Sequence, residues 1–244
     1  KKINWVSFDS GVAMSAAMAS GDVQISVSQG VPPFVVATSG GQDIQIVDVA
    51  VSYSENDNCV VASALEIDKT SASELAGKKV AVPLGTAAHY GFLKQMEHFG
   101  VDVGSMSVVD MAPAEGAAAL SQGAVDMACG WGGALRRMKE SGNVLGILVF
   151  DVTSAPASYV AENGEDLAKF LKVTADANAM WNAGGDGAAE MLPVIAKDAG
   201  MDEAATAETL AGFTFPSVEE QLSDKWFGGG SQTFMGGVAQ VFVE

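Results

Sequence analysis

The sequence predicts an α/β protein of two lobes. Short apolar runs of strand type alternate with helix-like segments from Ile3 to Thr153. These fall into two blocks, 3–62 and 79–153, and beyond Glu162 the pattern turns helical. Alternation of strand and helix argues for mostly parallel sheets with helices on their faces. With 244 residues, 48% of them apolar, the chain is long enough to fill two cores.

In chain order, Ile3–Phe8 reads as a strand, followed by a helix from Ser10 to Ala19 closed by Gly21. Val23–Ser28 is a second strand, leading through Gln29-Gly30-Val31-Pro32-Pro33 into a helix that ends at Gly40-Gly41. Ile44–Tyr53 and Asn58–Ala62 are apolar runs with no helix between them. Ser71 with Glu74 three residues later reads as a capping box opening a short helix. Val80–Leu84, a helix to Gly100, Ser107–Met111, a helix from Ala114 to Gly123, Val125–Trp131, a helix from Gly133 to Gly142 and Ile147–Thr153 complete the second block. Pro156–Glu162 is the last strand candidate. Leu167, Phe170, Leu171, Thr174 and Trp181 then share one face of an amphipathic helix.

The charge balance excludes whole classes of partner. Thirteen Lys and Arg against 30 Asp and Glu give a net charge of −17, a field that repels nucleic acid and anionic membranes. The acidic residues are scattered, which reads as a solvated surface and fits an extracytoplasmic protein. No segment offers the ~18–20 apolar residues of a membrane span. The abrupt opening Lys1-Lys2-Ile3 suggests a processed or trimmed N-terminus. Cys59 and Cys129 each sit in an apolar run and read as small buried hydrophobes; their spacing leaves a disulfide open without fixing one. His89 and His98 lie on opposite sides of one predicted helix and cannot form a metal pair. No nucleophile elbow, phosphate loop, dinucleotide fingerprint or zinc-protease motif is present, so the sequence calls for no catalytic residues, metal or cofactor.

Three strand ends are built for ligand approach: Ser26-Val-Ser-Gln-Gly30, Leu84-Gly-Thr-Ala87 and Cys129-Gly-Trp-Gly-Gly133. In open α/β sheets ligands bind there, beside helix N-termini. Thr86 stands at an N-cap position, and the first N–H groups behind it have no internal partner, a site for a small oxyanion. The only two arginines, Arg136 and Arg137, are neighbours on one helix, so no arginine clamp can be assembled from separate strand ends. An anion must rest on backbone N–H groups at Gly30 and Val31 and at Thr86 and Ala87. Ser28, Gln29, Asn58 and Tyr90 are candidate side-chain donors. Against this, Ser28 and Gln29 could simply bond their own turn, and His89 and Tyr90 could simply pack a helix on the sheet. Trp131, set among glycines, is either an aromatic wall for a ligand or an interface packer.

At these residues the sequence resembles the periplasmic substrate-binding proteins of ABC importers, in the nitrate/sulfonate/taurine group and most closely the taurine-binding proteins. The resemblance is carried by Phe8-Asp-Ser-Gly11 with Ala19-Ser-Gly-Asp-Val-Gln-Ile25, by Leu75-Ala-Gly-Lys-Lys-Val-Ala-Val-Pro83 with Thr86-Ala-Ala-His-Tyr90, and by Gly123-Ala-Val-Asp-Met127 with Gly130-Trp131. It covers nearly the whole chain in order. It implies the type II periplasmic-binding-protein fold: two mostly parallel sheets flanked by helices, joined by two crossing strands matching Asn58–Ala62 and Pro156–Val160, closing on a ligand like a clamp. Lobe one would be 1–62 plus 155–244 and lobe two 63–154. The family normally begins with a further strand and helix, and that strand sits mid-sheet. The expectation is therefore that these residues are an incomplete record of a longer protein. The loop at Asn143–Gly146 is shorter than the family's, and the family's final tail is not matched.

The resemblance implies an extracytoplasmic binding protein, secreted with or without a lipid anchor. It would act as a monomer, delivering a small ligand to the membrane subunits of an importer. Neutral donors suit a singly charged oxyanion such as sulfonate or nitrate. Asp151, ending the run Ile147–Phe150 with Thr153 just behind it, is expected at a strand end to pair with an ammonium group. Taurine carries both charges, and Trp131 would pack its two-carbon spacer. The competing reading has Asp151 cap a turn with Ser154. Alkanesulfonates, nitrate and hypotaurine are the alternative ligands. A thiamine-pyrimidine-synthase-like enzyme is the alternative activity, but it needs a cysteine-rich segment and a histidine donor that this chain does not offer. A sensor domain would need a signalling segment, and none is visible.

Overall fold

The computed structural model describes residues 2–53, 56–144 and 149–243. The chain passes through α1 (Gly11–Ser20), β1 (Ser26–Gly30), α2 (Val31–Ser39), β2 (Ile44–Tyr53), β3 (Asp57–Ala62), β4 (Lys79–Val82) and α3 (Ala87–Phe99). It continues through β5 (Ser107–Asp110), α4 (Pro113–Ser121), β6 (Met127–Trp131), α5 (Gly132–Lys139), β7 (Gly142–Val144) and β8 (Val149–Pro156). The rest is mainly helical: α6 (Ala157–Ala183), α7 (Gly185–Ala199), α8 (Glu203–Ala211), β9 (Phe213–Thr214), α9 (Val218–Gln221) and α10 (Gly230–Val243). Two compact units result. The first comprises Lys1–Val51, Phe150–Ala175 and Pro216–Glu244; the second comprises Ser52–Val149 and Asp176–Phe215. Residues 176–215, expected with the first lobe, thus group with the second unit, where Asn56 Nδ2 donates to Thr209 O.

Local chemistry fixes the element ends. Ser10 Oγ accepts the Ala13 N–H at 3.2 Å and Gly21 closes α1 in the left-handed region. Asn163 kinks α6, its amide donating to Tyr159 O, a side-chain bond of the kind that bends helices. Three expected elements differ. Ile3–Phe8 has no regular structure, and Ile3, Trp5 and Val6 are 54%, 68% and 56% exposed. A strand needs a neighbour for its backbone groups, and none among the described residues pairs with this segment; Trp5 instead lies 6.0 Å from the Phe170 ring. Pro156–Glu162 is not a strand: β8 ends at Pro156 and α6 starts at Ala157. Proline has no N–H to extend the ladder but suits a helix start, and Ala157, Ala161 and Glu162 favour helix. Ser71–Leu75 forms only a 3-10 turn, because Ser71 Oγ accepts from Asp68 N–H and does not cap.

In the second unit the sheet order is β5-β4-β6-β3-β7. Among the described residues, β4 pairs in parallel with β5 and β6, and β3 runs antiparallel to β6 and β7. Alternate residues face opposite sides of a sheet, and here they feed two cores. Cys59, Val61, Val80, Val82, Met127 and Cys129 pack with Phe92 and Met96 of α3. Val60, Ala81 and Ala128 pack with Leu120 of α4 and with Leu135 and Met138 of α5. Cys59 and Cys129 stand directly opposite in the β3–β6 ladder and are disulfide-bonded across 70 residues of sequence. The expectation of two separate buried thiols gives way to the disulfide, because register places the pair where spacing alone could not.

In the first unit β8 lies between β1 and β2, and β1 pairs with it antiparallel. β2 runs on into the second unit, where Ser52 and Tyr53 pair with β9. The start of the apolar run at Ile147 and Leu148, and part of the Asn143–Gly146 loop, lie outside the described residues. Phe150 packs its ring 5.0 Å from Trp226 and 4.9 Å from Phe234. Gln221, 6% exposed, accepts the Val49 N–H and donates to Asp48 and to Pro216 O, tying α9 to β2. Replacing Gln221 by Leu strands the Val49 donor and should lower unfolding stability by about 1–3 kcal/mol. Urea denaturation checks this, and an unchanged midpoint would refute it.

Candidate functional site

In the first unit the candidate residues gather where β1 meets β8. The register slips between Ser26↔Ser154 and Gln29↔Val152, so β1 carries one extra residue, a bulge. Ser28 takes φ 58° there, a conformation few non-glycine residues adopt and one that clusters at functional sites. Its Oγ donates to Asp151 Oδ2 at 2.8 Å. Asp151 stands opposite Gly30 in the ladder, inside β8 and not at a strand end. Gly30 is the N-cap of α2 and Val31 its buried first residue. Pro32 and Pro33 follow, so two N–H groups that a helix start normally offers are absent. Gln29 is fully buried, its Nε2 donating to Gly11 O at 2.9 Å and Ser15 Oγ at 2.6 Å while its Oε1 accepts from Ser154 Oγ at 2.9 Å. Its amide thus braces α1 and β8, and Ser154 is bound to Gln29 and does not form a turn with Asp151. Thr153, 2% exposed, donates to Asp48 Oδ2 at 3.2 Å.

In the second unit the β4–α3 joint is fixed by four bonds. Gly85 takes φ +74°. Thr86 Oγ1 donates to Pro83 O at 2.6 Å and, as the N-cap, accepts the His89 N–H at 3.3 Å. The Gly85 N–H donates to His89 Nδ1 at 3.1 Å, and the Leu84 N–H to Asp110 Oδ1 at 3.1 Å. With the hydroxyl engaged, Thr86, Ala87 and Ala88 contribute first-turn N–H groups, which have no acceptor within the helix. Tyr90 is 7% exposed, and burial pushes its hydroxyl pKa up, with Lys94 opposing. Asn58, 2% exposed, accepts at Oδ1 from the Cys59 N–H at 2.8 Å and from Gln95 Nε2 of α3 at 3.0 Å. Trp131 ends β6 opposite Asp57 and packs against the Cys129 core.

The structure therefore places Ser28, Gln29, Gly30, Val31, Asp151 and Thr153 in one unit, around a carboxylate. Thr86, Ala87 and Tyr90 lie in the other, at a helix start, with Asn58 and Trp131 on neighbouring strand ends. Sequence reasoning missed His89 and Gln95 as supports. The four-residue spacing from Gly85 to His89, one helical turn, was the available signal for the first. Among the described residues no three His, Cys, Asp or Glu side chains group as metal ligands.

The fold is that of the periplasmic binding proteins. The structure matches the periplasmic aliphatic sulphonate binding protein SsuA of Escherichia coli with a TM-score of 0.77 at 21% identity, over 99% of this chain and 81% of that one. It matches the alkanesulfonate-binding protein SsuA of Xanthomonas axonopodis pv. citri, bound to MOPS, with a TM-score of 0.71 at 18% identity, over 97% of this chain and 83% of that one. The NMT1/THI5-like family profile matches residues 8–183, and the chain belongs to that family. It is 27% identical over 234 residues to the taurine-binding periplasmic protein of Escherichia coli (strain K12), spanning 91% of this chain and 72% of that protein. These relatives are binding proteins, not enzymes.

Burial lowers the His89 pKa below the ordinary histidine value of 6.5, with Asp110 opposing. A base with a depressed folded-state pKa stabilises the fold fully above its ordinary value and progressively less as pH falls through the folded one. NMR titration of the His89 ring should give a midpoint below 6.5, and Asp110→Asn should lower it further. A midpoint at or above the ordinary value would contradict the burial of this ring.

Proposed function

We propose that the chain is the extracytoplasmic binding component of an ABC-type importer and captures taurine or a closely related small sulfonate. The observation that carries the ligand class is the pairing of opposite chemistries. Asp151, oriented by Ser28, is a carboxylate for an ammonium group, and the Thr86–Ala88 turn offers neutral donors for a sulfonate. The prolines of α2 leave its start few donors, so the sulfonate falls to α3. Asn58, Tyr90 and Trp131 are the further candidate contacts, Trp131 offering an aromatic face suited to the spacer and to cation–π attraction. The likeness to taurine- and sulfonate-binding proteins supports the class, and Asp151 supports taurine over plain alkanesulfonates. The Cys59–Cys129 disulfide suits an oxidising compartment outside the cytoplasm, and among the described residues no helix is long and apolar enough to cross a membrane.

A thermal-shift screen over taurine, hypotaurine, ethanesulfonate, nitrate, sulfate and betaine tests the class. Ligand at 100 times its Kd adds about 2.7 kcal/mol of apparent stability, so taurine should give the largest rise in Tm; no rise with any sulfonate would sink the proposal. Asp151→Ala should weaken taurine binding by roughly 2–4 kcal/mol, the range for unpairing a charge that the bound ligand would bury, and leave ethanesulfonate binding nearly unchanged. Calorimetry showing equal losses for both ligands would remove Asp151 from ammonium recognition.

A further inference from the structure

We propose that the Cys59–Cys129 disulfide is a positioning element for Asn58 and Trp131, and that it stays closed throughout the life of the folded protein. The ligand role of those two residues rests on the functional reading above; the disulfide's hold on them does not. The β3–β6 ladder sets Asp57 opposite Trp131, Asn58 opposite Gly130 and Cys59 opposite Cys129. The covalent link thus falls one residue from Asn58 and two from Trp131. A slip of one residue would turn every side chain to the wrong face, and a bond between directly opposed residues forbids it.

The hold on Asn58 is direct. Its Oδ1 takes two donors, the backbone N–H of Cys59 and Nε2 of Gln95. Both reach the same oxygen, so they fix which way the amide faces. Gln95 is 2% exposed and its Oε1 has no hydrogen-bond partner among the described residues, so the firmer support for Asn58 is the bonded strand. On the other strand, Trp131 packs against the cluster that contains Cys129, Met127 and Phe92. The cysteines are 0% and 1% exposed. A reductant's thiolate therefore has no route to the bond in the folded state, which makes it a fixed strut and not a switch. Its formation passes two electrons and two protons from the thiols to an external disulfide-bonded oxidant by thiol–disulfide exchange.

Three measurements decide. First, protein purified without reductant is unfolded in iodoacetamide and weighed intact; no adduct is expected, and two adducts overturn the proposal. Second, native protein is held in tris(2-carboxyethyl)phosphine; the bond should survive until guanidinium is added, and rapid reduction of the native form overturns the fixed-strut claim. Third, Cys59→Ala/Cys129→Ala and the better-filling Cys59→Val/Cys129→Ala are compared with the parent where near-UV dichroism shows all fully folded. Both should bind taurine at least about tenfold more weakly, with faster amide exchange confined to residues 57–60 and 127–131. Lower Tm with parental affinity and parental exchange would show a purely structural bond and overturn positioning. If the parent binds no sulfonate, the functional reading fails, and the exchange pattern alone still decides the disulfide's role. If neither variant folds, the first two measurements and exchange on protein reduced in guanidinium and refolded decide it.

Discussion

The second unit is organised by one antiparallel pairing, that of β3 with β6. β6 takes β4 in parallel on its other edge, so the β3–β6 ladder is where the parallel and antiparallel halves of the sheet join. Its alternation sorts the interior. Cys59, Val61, Met127 and Cys129 feed the core under α3, while Val60 and Ala128 feed the core under α4 and α5. The neighbours are fitted to this register. A Cβ on Gly130 would stand 2.9 Å from Pro113 Cβ, so the glycine lets α4 seat against β6. Shifting β3 by one position would exchange the contents of the two cores, which their shapes do not allow.

The first unit uses a buried polar bracket for the same purpose. Gln29 reaches α1 and β8 at once, and every partner it meets is itself buried or backbone. Such a network specifies one arrangement because each unmade bond inside the protein is expensive. The bracket also explains how Ser28 keeps its left-handed backbone. The bulge gives β1 one residue too many, Gln29 and Gly30 on one side are held in register, and Ser28 absorbs the excess. Its hydroxyl then lands on Asp151. A strained residue persists where its surroundings over-determine it, and here the strain is spent on orienting a carboxylate.

The sequence was a good guide at most local signals, the Ser71–Glu74 capping box being the exception. The caps at Ser10, Thr86 and Gly21 follow from residue type alone, and so do the strands whose apolar runs are short and bounded. It was a poor guide wherever the partner decided. Ile3–Phe8 has the pattern of a strand but no neighbour to pair with. Pro156–Glu162 looked like a strand because apolar content says nothing of period over so short a span. Cys59 and Cys129 are 70 residues apart, and only the ladder brings them together. The site shows the same division. Thr86 and the α3 start were legible from the strand–turn–helix joint. Gln29 was legible as polar and near, but its commitment to Gly11, Ser15 and Ser154 depends on packing that no spacing encodes. His89 was weighed as a packer and serves as an acceptor.

What the chain lacks sharpens the choice of ligand. Arg136 and Arg137 sit in the last turn of α5, where cations suit the helix dipole, and Arg136 lies 3.8 Å from Asp202 in an exposed pair. Neither arginine is among the residues at the β4–α3 joint or the β1–β8 junction. The Thr86 and Ser28 hydroxyls already donate to Pro83 O and Asp151 Oδ2, so the donors the α3 start can offer are backbone N–H groups. Pro32 and Pro33 remove two N–H groups from the first turn of α2, and its N-cap Gly30 stands opposite Asp151 in the ladder. The α3 start carries no acidic residue in its first turn and keeps its N–H groups. Under the proposed function, the donors for a singly charged oxyanion and the carboxylate for a cation therefore belong to different elements of the fold.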